Sequence, residues 1–315
     1  MLIVTGPNGN VGTELVRTLA EREDIPFRVA AHTPAKLVAA HGADLPVVKF
    51  DFNDRATWGP TLAGGKTLFL LFPLPHAHTA KARMMPFVEA AAAAGIEHII
   101  YVSVPAAQKL KFVPHYWVEK AIRESGIAFT ILQATYFSQN LTRAISSHII
   151  DIALYNEIFI PAGRGKTSFI DSRDLADAII NITLDREKHR DQTYVVSGPE
   201  NLDYYQVAEI FTEELHRPIR YSNPWMGHFL WRLKARGVPN DVLFFMFVVY
   251  NLTRVGKNAV MTDNLPKLLG RAPRTMRDYV RDYREHWTPE FVARLDKIVT
   301  PGFFASDHDL KAKNI

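Results

Sequence analysis

Leu2-Ile3-Val4 runs straight into Thr5-Gly6-Pro7-Asn8-Gly9-Asn10-Val11-Gly12, and the segment that follows repeats apolar residues at Val11, Leu15 and Leu19. A strand, a glycine turn and a helix start, in that order, constrain this chain more than any other feature, because together they open a βαβ unit. Such a turn bares backbone N–H groups at the positive end of a helix, and glycine lets an anion approach a backbone that carries no Cβ. Gly6, Asn8, Gly9, Asn10, Val11 and Gly12 are therefore candidate contacts for the pyrophosphate of a dinucleotide. Their G-x-x-G-x-x-G spacing differs from the G-x-G-x-x-G of the commonest fingerprint, so the surrounding alternation must support the reading; a tight turn without a ligand is the alternative.

That alternation is present. Strand-like runs are expected at Leu2–Thr5, Phe27–His32, Val47–Phe50, Thr67–Phe72, His98–Ser103 and Ala128–Leu132, with helical segments between them. Right-handed crossovers then build an α/β fold, a doubly wound parallel sheet with helices on both faces, and ligands of such sheets sit beyond the strands' carboxyl ends. The residues there are Gly6, then His32 and Thr33, then Asp51 and Phe52, then Phe72, Pro73 and Leu74, and finally Ser103.

After about Thr135 the regularity loosens. A helix is expected from Ser138, a short strand near Ile158–Pro161, a helix over Ser172–Leu184, a strand over Thr193–Ser197 and a helix over Tyr204–Leu215. Residues 1–135 are expected to form a nucleotide-binding domain, with segments near 138–198 partly returning to it. Residues 136–300 form a smaller, mainly helical substrate region, and 301–315 a flexible tail. The stretch from Pro224 to Trp287 is unusually aromatic, and a helix as apolar all round as Val242–Val249 is expected to be buried against the body, a partner or a bulky substrate.

With 315 residues, 47% of them apolar, the chain can bury a sizeable core. A formal charge of +4 without a dense basic run argues against nucleic acid as partner, and the absence of cysteine excludes thiolate metal sites, disulfides and cysteine nucleophiles. No basic leader precedes the first strand, and the longest apolar run, Val242 to Tyr250, is too short to span a bilayer. A cytoplasmic protein with no membrane partner, monomer or homodimer, is expected. His76 and His78 suggest a metal pair, but no third ligand stands near in sequence, so no metal is expected.

NAD-selective sites commonly place Asp or Glu after the second strand, whereas here the stretch reads Val29-Ala30-Ala31-His32-Thr33-Pro34-Ala35-Lys36. His32, Thr33 and Lys36 could donate to a ribose 2′-phosphate instead, so NADP(H) is expected to be preferred over NAD(H).

The glycine turn, Phe50-Asp51-Phe52-Asn53-Asp54, Ser125-Gly126-Ile127-Ala128-Phe129-Thr130 and Tyr136-Phe137-Ser138-Gln139-Asn140-Leu141 together resemble the NmrA-like family, a branch of the atypical short-chain dehydrogenase/reductases. Further matches are Ile170-Asp171-Ser172-Arg173-Asp174-Leu175, Tyr194-Val195-Val196-Ser197-Gly198-Pro199 and Gly270-Arg271-Ala272-Pro273-Arg274, so the likeness runs to about Trp287. The resemblance implies a Rossmann domain that binds NADP(H), with a smaller C-terminal domain closing over a cleft. It also implies Ser103 facing the nicotinamide, and Tyr136, Phe137 and Asn140 flanking it. Family members include quinone, dye and isoflavone-type reductases and redox-sensing regulators, so the likeness settles fold and cofactor better than reaction.

Short-chain dehydrogenases usually employ Tyr-x-x-x-Lys, and Tyr116-Trp117-Val118-Glu119-Lys120 matches that spacing. On a helix from Pro114, however, His115, Val118, Ile122 and Ser125 share the inner face, while Tyr116, Glu119, Lys120 and Arg123 are expected toward solvent. Alignment by resemblance also puts His115, not Lys120, where related reductases carry their lysine. His115 and Ser103 are the expected catalytic residues, His115 by hydrogen bonding or proton relay. The expected activity is an NADPH-dependent reduction of an apolar, aromatic or quinone-like small molecule; the alternative is an NADP(H)-sensing regulator with little turnover.

Overall fold

The computed structural model describes residues 1–73, 79–142 and 147–295. Leu74, the His76/His78 pair and the tail from residue 301 lie outside the described residues. The chain divides into two compact units, the first made of Met1–Thr135, Ser172–Val196 and Thr262–Ala272, the second of Tyr136–Asp171, Ser197–Met261 and the residues from Pro273.

The first unit alternates strand and helix: β1 (Leu2–Thr5), α1 (Asn10–Ala20), β2 (Phe27–Ala31), α2 (Pro34–His41), β3 (Val47–Lys49), α3 (Trp58–Leu62), β4 (Thr67–Leu71), α4 (Met85–Ala93), β5 (His98–Ser103), α5 (Pro114–Glu124) and β6 (Ala128–Ala134). A seventh strand, Gln192–Val196, joins the edge beside β6, and the order from there is β6, β5, β4, β1, β2, β3, every pair parallel. This is the doubly wound, Rossmann-type sheet. Connections leave β1 in one direction and β4 in the other, so a crevice opens where the order reverses.

Alternation along the strands sends Ile3, Leu68, Leu70, Ile99, Tyr101 and Ile131 to one face, where they share a core with Trp58, Phe87, Val88, Val118 and Ile122 of α3, α4 and α5. On the other face α1, which buries Val11, Leu15, Val16 and Leu19, packs against the helix Ser172–Leu184. Arg271 clamps the start of that helix through Asp174 at 2.8 Å and Asp177 at 2.5 Å. The expected strands stand within two residues at each end. The return of Thr262–Ala272 to this unit was not foreseen; Thr262 and Asn264 tie it to the last strand by donating to the Val195 carbonyl.

The second unit is mainly helical. The helix expected from Ser138 is only a 3-10 turn, Ser138–Leu141, and the α-helix begins at His148. Side chains explain the stop: Gln139 is buried and donates to Asp171 at 2.8 Å, holding the turn rather than continuing a helix. The strand expected near Ile158–Pro161 is Glu157–Ile158, paired with Arg220–Tyr221. A fully buried strand, Thr167–Ile170, has no period-two signal, because its two polar residues, Thr167 and Ser168, precede its two apolar ones instead of alternating with them. The apolar helix Asn240–Arg254 buries Val242, Met246, Tyr250 and Thr253 but leaves Phe244, Phe245 and Phe247 exposed, so the chain itself covers only one face of it. Among the described residues no helix is long and apolar enough to cross a membrane.

Candidate active site

At the end of β1 the backbone turns on Gly6, whose φ of +63° belongs to glycine, and Gly9 N–H closes the turn on the Gly6 carbonyl at 2.9 Å. Gly12 is the tightest point. A Cβ there would lie 2.0 Å from the Gly6 oxygen, so only glycine lets α1 start this close to the turn. At Gly9 a Cβ would meet the Leu71 side chain of β4 at 2.6 Å, a neighbour able to rotate. Gly9 caps α1 with no side-chain hydrogen bond, and the first turn carries no acidic residue. No carboxylate of the first turn competes for the positive end of the helix, and the cradle without side chains fits a pyrophosphate. Thr5 stitches the crevice from below, donating to the Phe69 carbonyl at 3.0 Å and accepting from Leu71 N–H at 3.1 Å.

At the β2 end His32 is 72% exposed, and Thr33 and Lys36 are exposed beside it. Tertiary structure adds two charges that the local stretch does not contain. Asp51, from the end of β3, brings Oδ2 to 3.3 Å from His32 Nε2, and the Lys49 ammonium donates to the His32 carbonyl. Asn53 N–H and its side-chain amide, at 2.8 and 3.1 Å, hold the Asp51 carboxyl below the usual range, so it is ionised at neutral pH. The expectation that no carboxylate stands at this end is therefore corrected: pairing of β3 with β2 supplies one. Phe52 sits edge-on to Phe50 and Phe87, with centroids at 4.7 and 5.4 Å, as part of an aromatic cluster.

At the β4 and β5 ends the polar groups form two layers. Phe72 is buried and its ring lies 4.8 Å from that of His115; Pro73 beside it is half-buried. On the other side of His115, Tyr101 Oη is 2.7 Å from Nδ1. Burial pushes the imidazole down to about 4 and the buried Tyr101 phenol well up, so both are neutral at pH 7 and share one proton across that contact. In the second layer Ser103 Oγ donates to Glu119 Oε1 at 2.6 Å, and Gln133 Nε2 donates to the same oxygen at 3.0 Å. The other oxygen, Oε2, has no hydrogen bond and stands 3.6 Å from the Arg123 guanidinium.

Glu119 is only 1% exposed, which corrects the expectation that it faces solvent. The helical arithmetic explains the error: four residues after His115 is about 40° round, on the same face. Tyr101, Glu119, Gln133 and Lys49 were all missed. Signals existed in a tyrosine two residues before Ser103 on one strand face and a glutamine inside an apolar strand. Lys120, by contrast, is 45% exposed and 3.5 Å from Glu124, and the Tyr116 ring packs edge-on against Trp117.

Tyr136, Phe137 and Asn140 belong to the second unit. Tyr136 Oη is 3.0 Å from Tyr250 Oη, which is 2.6 Å from His148 Nε2. Burial pushes Tyr136 up to about 12 and His148 down to about 3.

Comparison with known proteins bears on the family and the fold. An NAD(P)H azoreductase of Xenophilus azovorans is 28% identical over 286 residues, covering 89% of this chain and 97% of that protein. The structure of an NADPH-dependent quinone oxidoreductase of Escherichia coli complexed with NADPH superposes with a TM-score of 0.76 at 24% identity, covering 90% of this chain and all of that one. NmrA, a negative transcriptional regulator in complex with NADP, superposes with a TM-score of 0.69 at 17% identity, covering 95% and 99%. The profile of the NmrA-like family matches residues 1–280, and the chain belongs to that family.

Proposed function

We infer that this protein is an NAD(P)H-dependent reductase acting on a small apolar acceptor, aromatic or quinone-like, with NADP(H) as its preferred cofactor. The glycine turn carries the reading: Gly12 admits no side chain, and the start of α1 has no acidic residue at the positive end of the helix, which suits an anion. When bound, the nicotinamide supplies a hydride. Gly6, Asn8, Gly9, Asn10, Val11 and Gly12 hold the pyrophosphate, and Phe72 and Pro73 wall the crevice. His32, Thr33, Lys36 and Asp51 take the adenosine side, where the Lys36 and Lys49 ammonium groups outnumber the Asp51 carboxylate and favour a 2′-phosphate.

His115 and Tyr101 form a neutral pair that orients a ligand by hydrogen bonding rather than by charge. Ser103 directs its hydroxyl hydrogen to Glu119 in a hydrogen bond and offers the crevice only lone pairs. The azoreductase and quinone oxidoreductase relatives support that class of acceptor.

NADPH oxidation against a panel of quinones, dyes and enones tests the reading. Turnover with at least one acceptor is expected, with NADPH bound more tightly than NADH, and His115→Ala should lower kcat by about ten-fold or more. Tight cofactor binding without turnover on any acceptor would favour a cofactor-sensing regulator instead. That second reading draws on the likeness to NmrA and on a neutral histidine where related reductases carry a lysine.

A further inference from the structure

We propose that a cavity of about 350 Å³ within the second unit binds a small aryl anion, a carboxylate or sulfonate on an aromatic ring. Asn223, Pro224, Trp225, Met226, Asn251 and Arg254 line it. Its volume falls at the lower end of small-molecule pockets, roughly 300 Å³ upward. Arg254 is the only charged residue of the lining, and among the described residues no carboxylate pairs with it. Asn223 spends its oxygen on Gly163 N–H at 2.9 Å and on the Tyr221 hydroxyl at 3.2 Å, which leaves its amide hydrogens as donors. It is held at a φ of +41°, a conformation rare for a residue with a Cβ. Asn251 donates to Phe247 O at 2.8 Å, so its oxygen is the one side-chain acceptor left.

The apolar wall is built as deliberately. Trp225 is 72% exposed, yet its ring is seated on Gly227, where a Cβ would lie 1.7 Å from the indole. An exposed indole fixed in this way offers a flat face for stacking beside a guanidinium, the combination that suits a planar anion. Trp225 also caps the helix Met226–Ala235 with no side-chain hydrogen bond and no acidic residue in its first turn, adding positive potential at the same wall.

Calorimetric titration of the full chain without nicotinamide tests the site, using 2-naphthoate, naphthalene-2-sulfonate and the neutral 2-naphthalenemethanol. Both anions should bind at least ten-fold more tightly than the alcohol. Arg254→Gln should abolish that preference and Arg254→Lys should retain part of it, while Gly227→Ala should weaken all three ligands several-fold by unseating Trp225. Equal affinity for the alcohol, no binding of either anion, or an unchanged preference in Arg254→Gln would overturn the site. The titration needs neither cofactor nor turnover, so its failure leaves the reductase reading standing, and a failed reductase assay leaves this site standing.

Discussion

Both units bury carboxylates, and they satisfy them in opposite ways. In the second unit Asp151 lies 2.9 Å from Arg236 and 3.2 Å from Arg232, and Arg232 also reaches Glu157 at 3.1 Å. Two buried cations meet two buried anions, the exposed Arg220 guanidinium adds a third contact at 3.3 Å from Glu157, and the Arg232 guanidinium lies over the Phe159 ring at 3.1 Å from its centroid. In the first unit Glu119 is met mainly by neutral donors, Ser103 and Gln133, with Arg123 at 3.6 Å from its other oxygen. The difference teaches which cluster is free for chemistry. A cluster balanced by its own counter-ions is closed, whereas a carboxylate that takes its proton donor from the end of a strand dictates what that strand end presents to the crevice.

The largest effect that would break this contrast is loss of Asp151. Asp151→Ala leaves Arg232 and Arg236 buried with half their compensation and should cost about 3–5 kcal/mol in urea unfolding, because an unpaired buried charge has nowhere to go. A cost under 1 kcal/mol would mean that the cluster is wet rather than closed.

Acid should act next. Burial is the first cause of low pKa at His98 and His115, both pushed down to about 4, and at His148, down to about 3. Their folded values lie below the unfolded 6.5, so the stability they contribute is present above pH 6.5 and is lost as pH falls toward 4. Each should remove about 2 kcal/mol between pH 7 and pH 5. Asp151, pushed up to about 6 by burial, runs the other way: its share is present below pH 4 and is lost as pH rises through 6. Thermal unfolding at the two pH values should therefore give a lower midpoint at pH 5, and His148→Phe should flatten the slope; equal midpoints would contradict the burial argument.

Gly12→Ala should destabilise by about 1–3 kcal/mol through the 2.0 Å clash with the Gly6 carbonyl and weaken NADPH binding with it. Gly9→Ala meets the movable Leu71 side chain at 2.6 Å and the Gly6 carbonyl oxygen no closer than 3.2 Å, and should cost less; the reverse ranking in thermal unfolding and cofactor titration would show that the turn is not closed at Gly12. Glu119→Gln sharpens the comparison most directly. It keeps the shape and replaces charge-assisted bonds by neutral ones, for a loss of about 1 kcal/mol, and it should change the KM for NADPH by redirecting the Ser103 hydroxyl. An unchanged KM would make Glu119 purely structural. Smallest is Tyr116→Phe, expected to move stability by less than about 0.5 kcal/mol and kcat not at all; a large fall in kcat would restore the Tyr-x-x-x-Lys pair to the mechanism.

Much of the first unit was legible because each of its elements carries a local signal. Alternating apolar runs mark strands, and the glycine turn needs only neighbours within seven residues to be understood. The Glu119 layer could have been reached by counting helix positions correctly. The carboxylate beside His32 could not, since Asp51 stands 19 positions away and arrives only when β3 pairs with β2. The second unit was less legible: its strands are two to four residues long, and Thr167–Ile170 is buried on both faces.

By itself, then, the sequence determined a parallel α/β sheet, a glycine cradle at the end of its first strand and a helix that turns His115 inward, because backbone conformation and side-chain period are local properties. Only the tertiary structure decided that Tyr101 would meet His115, that the Ser103 hydroxyl would donate to Glu119, and that Asp51 and Lys49 would flank His32. Charge and proton position depend on what lies within about 4 Å in space, and strand pairing and helix packing set those neighbours across any distance in sequence.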